Sequence, residues 1–541
     1  MTGLALMALA WNIVDIRYRF RTATAPLPIR GLSYAVVLIV GGLTLFTDLW
    51  RAQRWWVPNG DLLSPDEWQA LLAFVYVLTF LTWAYFAFIR PPRFTKRSAN
   101  RFDGYLKLAI LRGSSNELAV VAGELARTVD RIIRHAPDFH VLKRRYDASA
   151  SKQPITLLEV EEIADDILRL IANPRFCRVV VETASDLALE VFGAIRRTKK
   201  YGVNIGPFAK NILNEAIANK DSFIYAEMGY ESGLISDAKP LMNAMFSDYE
   251  MVESVDGLLE PSLSRRWKWQ STEWEAYCNA VLMTLDSYVM TGRHQRSGVL
   301  NRALSDIKSA VSDLHKIDGK TEGEGFETEE YKRLRVVMSF FQDAIRILNE
   351  KDSSPPQRAV PKEHAERTIY DELAEALAEV IFWASKVRSP VDLCWWIQHN
   401  TVWSHLFRYD DGRKPASRVL QYKLRRFLYD EIAEMTKFPN YKGATTLAFC
   451  LNVFGFTVQK KEAYRSSTPL QIAALRWTKA HFAAIHQYDP KIAAACLVDG
   501  FSYEPENLRL VRAHESGMRR VLTRTYFPVD APPATTTSYE E

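Results

Sequence analysis

Several short motifs in this chain could bind phosphate or zinc, but each lacks a residue that its chemistry needs. Residues 319–321 read Gly-Lys-Thr, like the end of a phosphate-binding loop. The earlier glycine of such a loop is replaced by Leu314, and the residues that follow are acidic and would repel phosphate. Residues 514–515 read His-Glu, like the start of a zinc-protease helix, but Met518 stands where the second histidine belongs.

The histidine pairs and one acidic run also fall short of a metal site. His135 and His140 are five residues apart, which places them about 140° apart on a helix. Glu159, Glu162 and Asp166 share a helix face, but the E-x-x-H motif of a di-metal bundle is not nearby. We expect all of these side chains to face solvent, and the sequence predicts no catalytic, cofactor-binding or metal-ligating residue.

The cysteines indicate buried thiols in a reducing compartment. Their number is odd and none pair at C-x-x-C spacing, which argues against a secreted disulfide framework. No flanking signature marks any of them as a nucleophile. They are Cys177, Cys278, Cys394, Cys450 and Cys496.

Two aromatic segments remain as candidate contact surfaces. Arg265, Arg266, Trp267, Lys268 and Trp269 interleave cations with indole rings, a pattern that can contact a partner, a lipid surface or nucleic-acid bases. The alternative is that the tryptophans anchor the start of a helix. A second stretch, residues 394–407, could line a ligand pocket or a partner groove, but we expect core packing there.

The charge of the chain is concentrated near its beginning. Residues 1–101 contain eleven Lys and Arg against five Asp and Glu, while the remainder is nearly balanced. A balanced remainder argues against nucleic acid as a general partner. The positive excess lies beside apolar segments, at the place where lipid head groups would be.

Two of these apolar segments are long enough to cross a bilayer. Residues 31–47 and 68–89 contain no charged side chain, and as helices they would span about 26 and 33 Å, close to the thickness of the hydrocarbon layer. A turn at residues 58–60, together with a capping box formed by Ser64 and Glu67, connects them. The sequence predicts a hairpin of two transmembrane helices, residues 31–50 and 68–89.

The residues flanking the spans predict their orientation. Cations surround the outer ends of both spans, whereas the connection contains only Arg51 and Arg54. By the positive-inside rule, the protein is a multi-pass membrane protein with its N- and C-termini in the cytoplasm. The expected membrane-interface residues are Arg17, Arg19, Arg21, Trp50, Trp55, Trp56, Trp68, Arg90, Arg93, Lys96 and Arg97.

The first thirty residues allow two interpretations. Residues 2–14 are apolar but short, and the basic run follows them, which does not fit a cleavable signal peptide. They either lie in the interface as an amphipathic anchor or form a short third span. The sequence therefore predicts that residues 1–30 form a basic and apolar N-terminal segment, with an interfacial helix as one possible form.

The rest of the chain shows helical periodicity, so the predicted fold class is mainly α. Apolar residues recur every three or four positions, as in Leu118–Ile132, Ile369–Val380 and Leu420–Met435. An acidic, Gly-rich loop is expected near residues 318–330 and a proline-rich boundary at 351–361. We expect two helical cytoplasmic domains, residues 102–350 and 362–527, and a disordered tail, residues 528–541.

Three functions are compatible with this organisation. The leading hypothesis is a membrane-anchored, non-enzymatic interaction or sensing protein, whose partners are the lipid bilayer and a protein or a second copy. The first alternative is an oligomeric channel or membrane-perturbing effector gated by the cytoplasmic region. The second is a membrane-bound all-α enzyme without a recognisable motif. The channel would use Ser33, Thr44, Thr47, Asp48, Thr79 and Thr82 to line its lumen.

Overall fold

A computed structural model describes residues 15–55, 64–148, 157–228, 239–352, 355, 367–407, 414–458, 468–516 and 521–532. Within these residues the chain is mainly helical, as its apolar periodicity predicts. The chain divides into two compact units, residues 1–261 and 262–541. The apolar residues 2–14 and the expected turn at 58–60 lie outside the described residues.

The first unit is built from helices. They are α1 (Ile16–Thr24), α2 (Ile29–Ala52), α3 (Pro65–Ala84), α4 (Ala99–Arg112), α5 (Ser115–Ala126), α6 (Val129–His135), α7 (Phe139–Ala148), α8 (Glu159–Ile171), α9 (Pro174–Thr183), α10 (Asp186–Thr198), α11 (Gly206–Ala218), α12 (Phe223–Met228), α13 (Pro240–Phe246) and α14 (Tyr249–Ser254).

Helices α2 and α3 pack against each other as an antiparallel hairpin. The predicted capping box starts α3: Ser64 Oγ accepts from the Glu67 N–H at 3.3 Å, and Glu67 Oε2 accepts from the Ser64 N–H at 3.1 Å. Pro65 occupies the first helical position, where its missing N–H costs nothing. Helix α3 ends in a π-helical turn, Tyr85–Ile89.

The stripe at 118–132 predicts one helix, but the structure divides it into α5 and α6. The predicted apolar residues are all buried. The break lies at Thr128, whose hydroxyl accepts from the Phe94 N–H at 2.7 Å. This interaction fixes the segment that follows the hairpin against the helical body, and the broken helix lets the hydroxyl reach that N–H.

The second unit is also mainly helical. Its helices are α15 (Leu263–Arg266), α16 (Ser271–Met290), α17 (Gly298–Ser309), α18 (Glu322–Glu327), α19 (Glu329–Lys351), α20 (Ile369–Ala384), α21 (Val391–Trp395), α22 (Ser404–Phe407), α23 (Pro415–Glu434), α24 (Tyr441–Phe454), α25 (Thr468–Tyr488) and α26 (Pro490–Ala495). A π-helical segment, Trp396–Trp403, joins α21 to α22.

The expected domain boundary at 351–361 does not separate the helices on its two sides. Helix α19 packs against α23, and α17 packs against α20. Asn349 and Ser417 exchange hydrogen bonds of 2.7 and 3.1 Å across this junction. The two compact units meet after Pro261, and α19 and α23 both bury apolar faces within the second of them.

The expected acidic loop is partly helical and docked. It contains α18, and Thr321 and Glu324 form the capping box at its start. Asp318 Oδ1 accepts from the N–H groups of Arg388 and Ser389, both at 2.7 Å. The threonine of the Gly-Lys-Thr motif is thus engaged in capping a helix.

A small sheet lies at the end of the region predicted to be helical. Strands β1 (Phe501–Glu504), β2 (Arg509–Ser516) and β3 (Val521–Pro528) form an antiparallel sheet in the order β1-β2-β3. Leu510 pairs with Phe527 in the register. The His-Glu motif therefore lies in a strand and not in a zinc-protease helix.

The beginning of the expected disordered tail is ordered. The Val529 N–H donates to Leu508 O, and the Asp530 N–H donates to Lys479 O, both at 2.8 Å. Phe527 of β3 stacks on Phe456 with ring centroids 5.3 Å apart, which also fixes the end of the strand. Residues 533–541 lie outside the described residues.

A buried ion pair joins α20 to α23 in the second unit. Lys423 Nζ donates to Asp371 Oδ1, and both side chains are almost completely buried. Asp371 Oδ2 also accepts from the Thr368 N–H at 2.9 Å, so this carboxylate caps α20 as well. Removal of the lysine would leave a charged carboxylate in the core.

We expect Lys423→Ala to destabilise the second unit by about 3–5 kcal/mol, because Asp371 loses its buried counter-ion. Arg426→Ala, on the same helix, is the matched control. It removes an exposed pair with Asp430 and should change stability by about 0.5 kcal/mol or less. Thermal unfolding of the detergent-solubilised protein measures both. Equal effects of the two substitutions would contradict a stabilising role for the buried pair.

Candidate functional site

The two hairpin helices keep most of their apolar side chains exposed. Only 17% of the most apolar window of α2 and 22% of that of α3 is buried, and both helices are long and apolar enough to be candidate membrane spans. Leu38, Leu45 and Phe74 are 77%, 73% and 63% exposed. A core helix of comparable apolarity in a water-soluble protein would be mostly covered.

Mostly short side chains form the seam between the two helices. The hydroxyls of Thr47 and Thr79 donate to carbonyls of their own helices, at 2.7 and 2.8 Å. Small residues with internally satisfied hydroxyls permit close helix packing in an apolar environment. The seam consists of Ser33, Val40, Thr47, Leu72 and Thr79.

Polar contacts fasten the hairpin at the end near its connection. Gln69 Nε2 donates to Asp48 Oδ1 at 2.6 Å, and Arg51 Nη1 lies 3.0 Å from Asp66 Oδ1. These pairs lie beyond the apolar seam, and the side chains of Arg51 and Asp66 are exposed. They fix the register of α2 against α3.

At the opposite end, one guanidinium group bonds the last turn of the hairpin. The residues four and five positions beyond Ala87 are Pro91 and Pro92, which have no N–H. Neither an α-helical nor a π-helical turn can therefore supply a donor for the Ala87 carbonyl. Arg21 supplies it instead, with Nη1 3.0 Å from the Ala87 oxygen. The positive charge also suits a helix C-terminus.

The same arginine binds a buried carboxylate of the helical body. Arg21 Nε donates to Glu124 Oε2 at 2.9 Å, and Nη2 donates to Oε1 at 2.7 Å. Arg21 is 6% exposed and Glu124 is 5% exposed. Arg17 and Arg127 approach Glu124 Oε1 at 3.6 and 3.7 Å. We call Arg21, the Ala87 carbonyl and Glu124 the Arg21 joint.

Aromatic packing surrounds the Arg21 joint. Tyr18 lies 4.6 Å from Phe88 at the end of the hairpin, measured between ring centroids. On the other side of α1, Phe20 packs edge-on against Phe102 and Tyr105 at 5.8 and 5.3 Å. Helix α1 is thus fixed between the hairpin and α4. The fork of an arginine side chain can bond three separate oxygens here, whereas a lysine ammonium lacks that geometry.

Arg21 differs in burial from the other expected interface residues. Arg21 is buried and paired with Glu124, so its charge faces the protein and does not contribute to an exposed basic surface. Trp56 lies outside the described residues. The remaining expected interface residues are exposed or half-buried: Arg17, Arg19, Trp50, Trp55, Trp68, Arg90, Arg93, Lys96 and Arg97.

The segment of cations and indoles at 265–269 does not form one continuous contact surface. Trp269 is buried and packs edge-on against Trp274 at 5.0 Å. Arg266 pairs with Asp306. Trp267 is 69% exposed and is available to a partner. The segment precedes α16, which starts with a capping box between Gln270 and Glu273.

The aromatic stretch at 394–407 packs largely into the core of the second unit. Cys394 and Trp403 are buried. Trp395 stacks on His399 with ring centroids 4.5 Å apart, and Gln398 Nε2 donates to the Val387 carbonyl at 2.9 Å. These contacts support the core-packing interpretation. The side chain of Phe407 lies outside the described residues.

The cysteines are all free and buried. Burial raises the pKa of Cys394, Cys450 and Cys496 to about 12, so these thiols stay protonated at neutral pH. Across the described parts of the chain, no three His, Cys, Asp or Glu side chains come together in a way that could hold a metal ion. Glu159, Glu162 and Asp166 are exposed on α8, as expected for a solvated face.

A cluster of charged groups surrounds the start of α20. Asp352 Oδ2 lies 2.9 Å from His294 Nε2 and accepts from the Tyr370 hydroxyl at 2.6 Å. Arg296 Nε lies 2.9 Å from Glu372 Oε1, while Glu372 Oε2 has no hydrogen-bond partner within the described residues. Burial raises the pKa of Glu372 to about 7, and the nearby arginines only partly oppose this effect.

Comparisons with known proteins do not identify a family. No protein-family model matches the chain, and no curated protein matches it. A solved structure described as a circular tandem repeat protein with novel repeat topology and enhanced subunit contact surfaces is similar over 86% of this chain and 94% of that chain. The identity is 10% and the TM-score is 0.21, so this similarity carries no argument about fold or function.

We expect Arg21→Lys to lower the free energy of unfolding of the first unit by about 2 kcal/mol, because lysine keeps the charge but loses a charge-assisted hydrogen bond. Arg19→Lys, two residues earlier on the exposed side of α1, is the matched control and should be neutral. Calorimetric unfolding in detergent compares the two variants. If Arg21→Lys unfolds like the wild type, the joint does not hold the hairpin.

The raised pKa of Glu372 predicts that stability depends on pH. Between about pH 4.5 and pH 7, the folded protein retains a proton on Glu372 that the unfolded chain has released. The stabilising contribution of this group is therefore full below pH 4.5 and is lost as the pH rises through 7. The loss should be about 1–3 kcal/mol.

Glu372→Gln should reduce this pH dependence, measured as the difference in thermal midpoint between pH 5 and pH 8. Glu379→Gln, on the same helix but partly exposed, should leave the dependence unchanged. An unchanged pH profile in Glu372→Gln would show that the Glu372 carboxyl titrates at its ordinary pKa.

Proposed function

We propose that this protein is a membrane-anchored helical interaction or sensing protein without catalytic activity. The α2–α3 hairpin inserts into a bilayer, and the helical body lies on the cytoplasmic side together with both termini. The observation that carries this proposal is the exposed apolar hairpin, clamped by the Arg21 joint to a polar helical body.

The exposed surface of the hairpin favours insertion into lipid. Large apolar side chains such as Leu38 and Leu45 on α2 and Phe74 on α3 project outward. Transfer of apolar surface out of water contributes about 25 cal/mol per Å², so a bilayer would stabilise this surface strongly. The length of each helix also matches a hydrocarbon layer of about 30 Å.

The distribution of charge supports the cytoplasmic orientation. Arg90, Arg93, Lys96 and Arg97 follow the hairpin directly and are exposed. Positive residues near the ends of spans are retained on the cytoplasmic side. The other flank contributes Arg17 and Arg19, which are exposed on α1. Arg21 adds nothing to this surface, because Glu124 neutralises it.

An anchored helical body suits interaction or sensing rather than chemistry. Tethering confines the body to a surface and raises its effective concentration for partners there. The Arg21 joint would transmit a displacement of the hairpin to α5 and the helices that pack on it. We therefore propose a protein partner or a second copy, in addition to the lipid bilayer, as what the body contacts.

The alternative of a channel draws no support from the hydroxyl groups of the hairpin. Thr44, Thr47, Thr79 and Thr82 each donate to a carbonyl one turn earlier on their own helix. Asp48 accepts from Gln69 within the hairpin. The channel and the all-α enzyme remain hypotheses that rest on the sequence.

We expect labelling of introduced cysteines to show a hairpin with its connection outside. Gln53→Cys lies at the connection, and Lys143→Cys lies on an exposed face of α7. The native cysteines are buried and should give little background. A membrane-impermeant maleimide should label Gln53→Cys in intact cells, and Lys143→Cys only after permeabilisation. The reverse pattern, or extraction of the protein without detergent, would contradict the proposal.

A further inference from the structure

A basic cleft lies beside the point where the chain leaves the hairpin. Its volume is about 850 Å³, and it opens between residues 93–97 and helix α6. This size falls within the range of about 300–1,000 Å³ that is typical of small-molecule sites. The charged residues that line it are Arg93, Lys96, Arg97, Asp130, Arg131 and Arg134.

Most of the positive charge in this basic cleft is not neutralised. Asp130 is already engaged, because its carboxylate lies 2.9 Å from Arg134 and 3.4 Å from Arg197. The other four cations of the cleft form no ion pair with any residue that the structure describes: Arg93, Lys96, Arg97 and Arg131. A cleft lined by charges of one sign attracts ions of the opposite sign, so these cations favour an anion as the ligand.

The loop that presents these cations is held in place by buried contacts. Phe94 is fully buried against Phe102 and His135, at 5.9 and 5.7 Å. Its N–H donates to Thr128 Oγ1 at 2.7 Å. Ser98 Oγ donates to the Arg93 carbonyl at 3.1 Å. The cations therefore project from an ordered backbone, and binding an anion requires little rearrangement of the loop.

The position of the basic cleft relative to the hairpin identifies the source of the anion. Arg93 lies four residues beyond Ile89, the last residue of the hairpin, and an extended chain places it within about 14 Å of that residue. If the hairpin spans a bilayer, this distance brings the cleft to the level of the lipid phosphates. Guanidinium groups bind phosphate oxygens in a bidentate way.

We propose that the basic cleft binds the phosphomonoester headgroup of an anionic membrane lipid. A monoester carries a charge of about −1.5 to −2 at neutral pH and so matches several unpaired cations better than a diester does. The assignment of the lipid as the source rests on the proposed membrane anchoring. The assignment of the phosphate rests on the charges of the cleft alone.

The test measures binding to the full-length protein in a neutral detergent. The probes are dioctanoyl phosphatidic acid, glycerol 3-phosphate as its soluble counterpart, and dioctanoyl phosphatidylcholine as a zwitterionic diester. Phosphatidic acid should bind most tightly. The triple variant Lys96→Gln, Arg97→Gln and Arg131→Gln should bind it at least tenfold more weakly.

The matched control removes three cations from α7, none of which lines the basic cleft. The variant with Lys143→Gln, Arg144→Gln and Arg145→Gln should bind phosphatidic acid within about twofold of the wild type, because a localised phosphate contact depends little on distant charge. Equal weakening in both triple variants, or equal binding of phosphatidylcholine, would overturn the site.

Binding of glycerol 3-phosphate as tight as that of the lipid would overturn the lipid as the source. The binding assay in detergent requires no insertion into a bilayer, so a failure of the phosphate site and a failure of the membrane topology give separate results. If the cleft binds phosphatidic acid but the protein does not span a membrane, the proposed membrane anchoring is wrong and the phosphate site stands.

Discussion

The organisation of the first unit depends on one carbonyl group that its own helix cannot satisfy. Pro91 and Pro92 end α3 without offering a donor to Ala87, and the oxygen would be orphaned in a buried place. Arg21 bonds this oxygen and Glu124 at the same time. One side chain thus joins three segments that are far apart in the sequence: α1, the end of the hairpin and α5.

The Arg21 joint determines the orientation of the hairpin more than it adds to the net stability of the fold. A buried ion pair loses hydration that its Coulomb attraction only partly restores, so an apolar replacement of the whole pair can be equally stable. Removal of one partner is costly, and each donor of the guanidinium fits one oxygen. The hairpin is therefore held in one orientation on the helical body. A fixed orientation is what a hairpin needs if its displacement is to move the body.

The sequence predicts the helices and their buried faces well where a single periodic stripe dominates. Leu420, Leu424 and Leu428 on α23 are buried as predicted, and the capping box at Ser64 is present. The break at Thr128 was not predicted, because it depends on a hydrogen bond to Phe94, thirty-four residues earlier. Local periodicity carries no information about such a distant partner.

The lack of information about distant partners also explains the other features that the sequence did not predict. The prolines at 351–361 indicate a connection, but whether the helices on its two sides share a core depends on pairs such as Asn349 and Ser417. The C-terminal sheet buries Leu510 and Val511. It was not predicted, because its strands are short and follow a long helical region. Arg21 was assigned to the membrane interface because its neighbours are basic. The sequence signal for its bond to the Ala87 carbonyl is the Pro91-Pro92 pair.

The most direct test of the central claim is the environment of the hairpin surface in a lipid bilayer. Spin labels on Leu38→Cys and Phe74→Cys, in protein reconstituted into liposomes, report collisions with oxygen and with a water-soluble nickel complex. We expect high accessibility to oxygen and low accessibility to nickel at both positions. High accessibility to nickel, or protection from both reagents, would show that these helices face water or protein instead of lipid.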